Sequence, residues 1–510
     1  MTGNLFHSIE NAITEPAKVA IETPQGEPYT YADLVALTGR LANALVARGV
    51  KPGDRVAVQV EKSVSALALY LACARAGAVY LPLNTAYTLA ELEYFVGDAE
   101  PSLVVCDPER RDGVARIATG FHARVETLDG HGRGPLMDLA ASEPETFATV
   151  ERAPDDLAAI LYTSGTTGRS KGAMITHDNL VSNALTLKDY WRFTKEDVLL
   201  HALPIFHVHG LFVASNVALI SGAAMIFLPK FDPNEIMRSM PRATALMGVP
   251  TFYVRLLQHP GLGGDTTSHM RLFVSGSAPL LAETHREWKA RTGHYILERY
   301  GMTETGMNTS NPYDGDRVPG AVGYPLPGVT MRVVNPDTGE LLPVGEIGML
   351  EVNGPNVFKG YWRMPEKTEA EFRKDGFFIT GDLGKIDERG YVHIVGRGKD
   401  LIITGGYNVY PKEIESEIDA IPGVVESAVI GVPHPDFGEG VTAVVVPERN
   451  ASLDEQQVVA AIEGRLAKFK LPKRVIFVDD LPRNTMGKVQ KNVLRDTYGQ
   501  IYAGKSRASV

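Results

Sequence analysis

Cysteine is nearly absent from this sequence: Cys73 and Cys106 are the only two in 510 residues, and neither stands in a CxxC or CxxxxC pair. A disulfide framework is thereby excluded, and no zinc or redox-centre spacing is present. Excess positive charge is missing too. The chain carries 51 Lys and Arg against 61 Asp and Glu, a net charge of −10, which argues against a general nucleic-acid binder while leaving room for a local basic pocket. The stretch MTGNLFHSIENAITEPAK has no basic region followed by an apolar one, so it does not read as a secretory signal, and a cytoplasmic location is expected. Long apolar runs are lacking with one exception, LFVASNVALISGAAMIFL from 211 to 228. Its length invites a membrane span. Ser215, Asn216 and the Ser221-Gly222 break instead divide it into a buried helix and a buried strand, so no membrane partner is expected.

What is present is an ordinary globular balance, 44% hydrophobic and 22% charged, in a chain long enough for two or three domains. Leu34, Leu37, Leu41 and Leu45 mark one face of a helix that leads into RVAVQV, and helix and strand alternate from there through AVYLPL, SLVVCD, LAAILYT, AAMIFLP, ALMGVP and RLFVSG. That alternation predicts an α/β fold with parallel sheets, whose functional loops lie at the carboxyl ends of strands. After about residue 320 the texture becomes rich in Gly, Pro and short strands, as in VTMRVVNPDTGELLPVGEIGMLEVNG. Beyond a boundary near 397–400 a third texture, three strands and two helices, predicts a small α+β domain. The expected organisation is an N-terminal domain of layered α/β sheets over 1–396, with a β-rich subdomain at about 320–396, and a C-terminal domain over 401–510.

The chemistry is most concentrated in YTSGTTGRSKG, residues 162 to 172. Glycines let the backbone approach an anion, the hydroxyls of Thr163, Ser164, Thr166 and Thr167 donate hydrogen bonds, and Lys171 adds positive charge. It is not a Walker A loop, because the second glycine that such a loop requires ahead of its lysine is missing. Taken alone, it also reads as a Gly/Thr turn between a strand and the helix-compatible THDNLVSNALTL.

It is not alone. YTSGTTGRSKG, YGMTE (300–304), TGD (380–382), GRGKDLIITGGYNVYP (396–411) and PRNTMGKVQK (482–491) occur in this order, and over nearly its full length the chain resembles the acyl-CoA synthetases of the acyl-adenylate-forming superfamily. The resemblance implies a large N-terminal domain and a mobile C-terminal domain joined by a hinge at 397–400. It also implies a two-step reaction. A substrate carboxylate attacks the α-phosphorus of ATP and releases pyrophosphate; the thiol of coenzyme A then displaces AMP to form a thioester.

Carried onto this sequence, the resemblance implies that Thr163, Ser164, Gly165, Thr166, Thr167, Gly168 and Lys171 hold the departing phosphates. Glu304 would sit on Mg²⁺, as suits a hard carboxylate oxygen, and Thr163 joins it and Lys488 in the catalytic set. Asp382 would accept hydrogen bonds from the ribose hydroxyls, helped by Arg397. Gly276, Ser277 and Ala278 would flank the adenine, with Tyr300, Gly301 and Thr303 nearby; a core tyrosine is the competing reading of Tyr300. Lys488, which on its own would read as a solvated surface charge, would bridge the attacking carboxylate and the α-phosphate. Lys399 would be the pivot, and Gly405 and Gly406 would line the pantetheine tunnel. A protein lysine acyltransferase acting on Lys488 is an expected partner.

The residue before the tyrosine of YGMTE is small or uncharged in many relatives with fatty or aromatic substrates; here it is Arg299. A guanidinium beside an acyl pocket is costly to desolvate unless an anion pairs with it, and a small dicarboxylic acid supplies that anion in a geometry arginine favours. Ser277 and Ser275 add hydroxyls, and His207 in PIFHVHGL borders the same site, with a satisfied core histidine as its competing reading. The combination resembles malonate-activating synthetases, with methylmalonate as a second substrate that one methyl group does not separate. Oxalate and medium-chain or aryl monocarboxylates are the alternatives. A nucleotide-binding pseudoenzyme would have lost Lys488 or Glu304, and both are present. A freestanding module that loads a carrier protein stays open.

Overall fold

The structure is a computed structural model describing residues 3–24, 26, 28–163, 170–405, 407–449, 451–484 and 487–502. Among these, two large sheets build the N-terminal part. One runs Tyr324–Pro325, Gly306–Ser310, Ile296–Met302, Leu272–Ser275, Ala245–Gly248, Val198–His201, Ala224–Phe227, Val19–Glu22 and Tyr29–Thr30. Its central strands, from Ile296–Met302 to Val19–Glu22, are parallel. The other runs Gly360–Tyr361, Lys171–Thr176, Leu157–Thr163, Val79–Pro82, Arg55–Gln59, Leu103–Cys106 and Arg124–Thr127.

Helix Val64–Arg75, apolar all round and buried at every position, fills the space beside them, as such a helix must. Its Tyr70 packs on Tyr80 of one sheet and on Phe212, in the segment following a strand of the other. The α/β expectation holds, with antiparallel additions at the sheet edges.

One local reading is corrected and another refined. The loop after Leu157–Thr163 does not lead into a helix. It joins that strand to an antiparallel partner, Lys171–Thr176, with Thr163 opposite Lys171; helix His177–Tyr190 starts only afterwards, capped by Thr176 and Asn179. The apolar run at 211–228 is buried apart from the half-buried Ala224, and its expected helix and strand are present, but the helix is irregular. The run continues a π-helical turn, His209–Ser215, through a short helix, Asn216–Ile220, into strand Ala224–Phe227. Among the described residues no helix is long and apolar enough to cross a membrane.

The β-rich subdomain is a four-stranded antiparallel sheet, Thr330–Val334, Gly348–Asn353, Phe378–Ile386 and Val392–Arg397. The C-terminal sheet is centred on the long hairpin Val424–His434 and Gly438–Pro447. Strand alternation sends Val429, Val441 and Val445 to a core with Ile414, Ile418 and Ile462, and sends Ile430, Val432 and Val444 to the opposite face under Leu481 and Leu494. Both faces are therefore covered, by helices Pro411–Asp419 and Glu455–Glu463 on one side and Lys491–Tyr498 on the other.

Candidate functional site

Some site residues stand within strands, Asp382 in the middle of Phe378–Ile386 and Arg299 and Tyr300 within Ile296–Met302, and others lie in the turns that follow strands. Adjacent antiparallel strands place Asp382 directly opposite Arg397, and Arg397 Nε lies 2.8 Å from Asp382 Oδ1. Tyr300, within strand Ile296–Met302, donates its hydroxyl to Asp382 Oδ2 at 2.6 Å. Asp382 is 4% exposed, yet its two oxygens keep further acceptor positions. The Asp382 charge holds the Arg397 guanidinium above its ordinary range, and burial pushes the Tyr300 hydroxyl well up.

Glu304 follows in the turn after that strand. Thr163 Oγ1 stands 3.4 Å from its Oε1 and Tyr361 Oη 3.2 Å, and burial raises its pKa. Lys171 lies across Tyr361 from Glu304, near enough for its charge to act on that carboxyl: its ammonium pairs with Glu371 at 3.0 Å over the ring of Tyr361, whose hydroxyl donates to Glu371 at 2.6 Å.

Lys488 sits on a tight hairpin. Arg483 bridges Val489, Asn484 N donates to Lys488 O at 3.0 Å, Lys488 N to Asn484 Oδ1 at 3.0 Å, and Arg483 Nη1 to Gly487 O at 2.7 Å. Arg483 is in turn paired with Glu426. Gly487, with φ +74°, presents its Cα face to Thr251, so the hairpin rests on the N-terminal part. The Lys488 residue is exposed; lost hydration, then the Arg397 charge, push its pKa down to about 8, against a smaller upward pull from Asp382. Lys399 lies in the short 3₁₀ turn Gly398–Asp400, beside the Asp400–Arg495 ion pair at 2.9 Å.

The acyl side is built differently. Arg299 is 4% exposed, and its guanidinium lies against the bare Cα of Gly276; a methyl there would come within 2.4 Å of Cζ. Burial pushes the Arg299 pKa down to about 9. Among the described residues its Nε and Nη2 have no hydrogen-bond partner, and the same is true of the buried Ser275 Oγ and His209 Nε2. Ser277 Oγ is 3.2 Å from His209 Nδ1, which fixes a non-glycine residue at φ +71°, a conformation costing on the order of 1 kcal/mol. His207 Nδ1 accepts from His209 N at 3.2 Å. Burial, then the Arg299 charge, push His207 down to about 4 and His209 also well down, so both imidazoles are neutral.

The structure thus brings together Thr163 with Glu304, Tyr300 with Asp382 and Arg397, Lys488 with that pair, and Arg299 with Gly276 and the His207–His209 segment. Thr303 lines a small cavity with Asn183, Val208 and Phe212, and Gly301 packs where a side chain would strike Gly306 O. Ala278 is half-buried just beyond Ser277. Gly405 is apart from these residues, in an exposed turn at φ +56° whose nearest neighbour is Phe437. Ser164, Gly165, Thr166, Thr167, Gly168 and Gly406 lie outside the described residues. Sequence reasoning passed over His209, Glu371 and Tyr361. His209 carried a signal, its two-residue spacing from His207; the other two are joined to the site only through the fold.

Two family models match the chain, the AMP-binding enzyme over residues 9–362 and the AMP-binding enzyme C-terminal domain over 413–488. The chain belongs to the AMP-binding enzyme family. The solved structure of ATP-bound MatB from Rhodopseudomonas palustris is 72% identical, with a TM-score of 0.97 over 98% of this chain and 100% of that one; the apo form of the same protein, over the same shares, gives 0.87. The feruloyl-CoA synthase of Amycolatopsis sp is 38% identical, over 93% of this chain and 95% of its own length. The mitochondrial malonate–CoA ligase ACSF3 of Mus musculus is 37% identical, over 94% and 88%.

Proposed function

We propose that this chain is an AMP-forming acid–thiol ligase that joins malonate, and methylmalonate, to coenzyme A through an acyl-adenylate. The observation that carries the substrate is the set of buried polar atoms around Arg299 that have no partner among the described residues: Nε and Nη2 of the guanidinium and His209 Nε2. Groups left unpaired in this way are costly unless a ligand completes them. One carboxylate of a short diacid meets that set while the other is presented for activation. The malonate–CoA ligase among the relatives supports this reading. The feruloyl-CoA synthase is named for an aryl acid, which would leave Arg299 uncompensated, so the pocket chemistry favours the diacid.

In the first step a carboxylate oxygen attacks the α-phosphorus of ATP and the bond to pyrophosphate breaks. Lys488 spans nucleophile and α-phosphate, Asp382 takes the ribose hydroxyls, Arg397 steadies Asp382, and the 163–171 loop receives the leaving phosphates; for such transfers positioning and electrostatics supply most of the catalysis. Glu304 fits Mg²⁺: it is a buried carboxylate among hydroxyls. No group of three or more metal-ligating side chains occurs among the described residues, as expected for an ion held mainly by phosphate oxygens. When bound, that ion would neutralise charge on the leaving phosphates.

In the second step the coenzyme A thiol attacks the acyl carbonyl and AMP leaves. Lys488 must withdraw, so the C-terminal domain, 401–510, rotates about Lys399 within the 397–400 hinge, bringing the Gly405–Gly406 turn to the pantetheine path. The Arg397 and Asp382 charges that act on Lys488 support reading this arrangement as the adenylating one. The solvent-accessible Lys488, with its pKa lowered to about 8, also suits a protein lysine acyltransferase; acylation would remove the charge, and loss of adenylation that deacylation reverses checks this. Buried, unpaired Cys73 and Cys106 fit a reducing cytoplasmic setting.

The test is coenzyme A ligation over malonate, methylmalonate, oxalate, succinate, acetate and butyrate. Malonate and methylmalonate should lead, with a thioester formed on free coenzyme A; preference for acetate or butyrate would overturn the assignment.

A further inference from the structure

Lys62 is a buried cation outside the chemistry above. It lies between strand Arg55–Gln59 and helix Val64–Arg75, both built on one large sheet, yet its side chain reaches the other. It is 7% exposed. Its ammonium meets His201 Nδ1 at 2.9 Å and donates to His201 O at 2.8 Å and Leu203 O at 2.9 Å, lying 4.1 Å from the centre of the Phe227 ring. Three N–H groups thus have three acceptors, and no carboxylate acts on it among the described residues. A buried ammonium held by neutral acceptors alone is a costly arrangement for mere filling.

What it holds is the loop of the acyl pocket. Because Nδ1 of His201 accepts from Lys62, Nε2 carries the ring proton and donates to Gly210 O at 2.9 Å, with Ser215 Oγ at 3.1 Å. Ser215 Oγ donates to the same carbonyl at 2.9 Å. Leu203 O and Gly210 O are the two ends of the segment that carries His207 and His209. Gly210 sits so close to Pro204 that a methyl would lie 2.0 Å from Pro204 O. The carbonyl gripped from the side belongs to the π turn His209–Ser215, an irregularity that concentrates at functional sites. Reversion to α register would turn His209 by roughly 100°, one residue's rotation, and break its contact with Ser277.

We propose that Lys62 is a positioning residue for substrate specificity: through His201 it clamps the 203–210 loop and the π turn so that His207 and His209 face Arg299. This rests on reading that pocket as the carboxylate site.

Lys62→Met keeps the apolar stem and removes the donors. We expect the KM for malonate to rise at least roughly ten-fold, the scale of a small misplacement of binding groups, with the KM for ATP within two-fold and the malonate-over-butyrate preference falling in parallel. His201→Gln, whose amide both accepts and donates, should retain the malonate KM, whereas His201→Leu should behave like Lys62→Met; if Lys62→Met does not fold, the two His201 variants decide. The proposal is overturned if Lys62→Met or His201→Leu keeps the wild-type preference, or if the KM values for ATP and malonate shift together. Should Arg299→Ala abolish the preference while those variants keep it, the pocket reading survives and the clamp does not; an Arg299→Ala enzyme that keeps its preference instead removes the pocket reading itself.

Discussion

The two walls of the cleft differ in how their polar groups are satisfied. On the nucleotide side, Asp382 already holds Tyr300 and Arg397, Glu304 has Thr163 and Tyr361 beside it, and Lys171 is paired with Glu371. On the Arg299 side, Arg299 and His209 present buried atoms with no partner among the described residues. The first wall is assembled by the protein and suits a ligand common to a whole family. The second is left incomplete among the described residues, and on the proposed reading the substrate finishes it and specificity is encoded there.

Breaking the comparison most severely is Lys488→Ala, which removes the cation serving both walls. Acyl-adenylate formation should fall roughly 10³-fold, as for loss of a preorganised electrostatic group, while thioester formation from supplied malonyl-AMP should change only a few-fold; half-reaction assays that lose both equally would contradict the assignment. Lys399→Pro should leave adenylation near wild type and slow thioester formation roughly ten-fold by restricting the hinge; unchanged single-turnover rates would rule out that pivot. Asp382→Asn weakens only the nucleotide wall: the KM for ATP should rise several-fold, with the KM for malonate steady, since one charge-assisted contact is lost.

The smallest effect is on pH. Lys488 has its pKa lowered to about 8, so the free enzyme loses this cation as pH rises through 8. The kcat/KM for malonate should therefore decline above about pH 8, and the decline should move upward in Lys488→Arg; a profile unchanged by that substitution would assign the break elsewhere.

How much was legible beforehand follows the same division. The α/β alternation, the β-rich subdomain and the small C-terminal domain could be read from periodicity and turn residues. Glu304, Asp382, Arg397 and Lys488 could be named because each sits in a short contiguous motif. Strand Lys171–Thr176 was missed because its first residues, Lys-Gly, look like loop and its last residue, Thr176, is already the cap of the next helix. Contacts between distant segments left no local trace: Glu371 reaches Lys171 across 200 residues, and Lys62 reaches His201 across 139. His209 was visible only by its two-residue spacing from His207, because its partner Ser277 and its π-helical setting arise from tertiary packing. Arg299 was legible because a charge stands where an uncharged residue is usual, though its lack of partners required the fold.

The most direct measurement is the ratio of kcat/KM for malonate to that for butyrate in the wild type and in Arg299→Ala. Removing the guanidinium should cost malonate about 2 to 5 kcal/mol, the scale for truncating one member of a buried charge pair, and should spare or favour butyrate, so the ratio should collapse. Equal losses for both substrates would show that Arg299 only supports the strand it stands on, and would contradict the account.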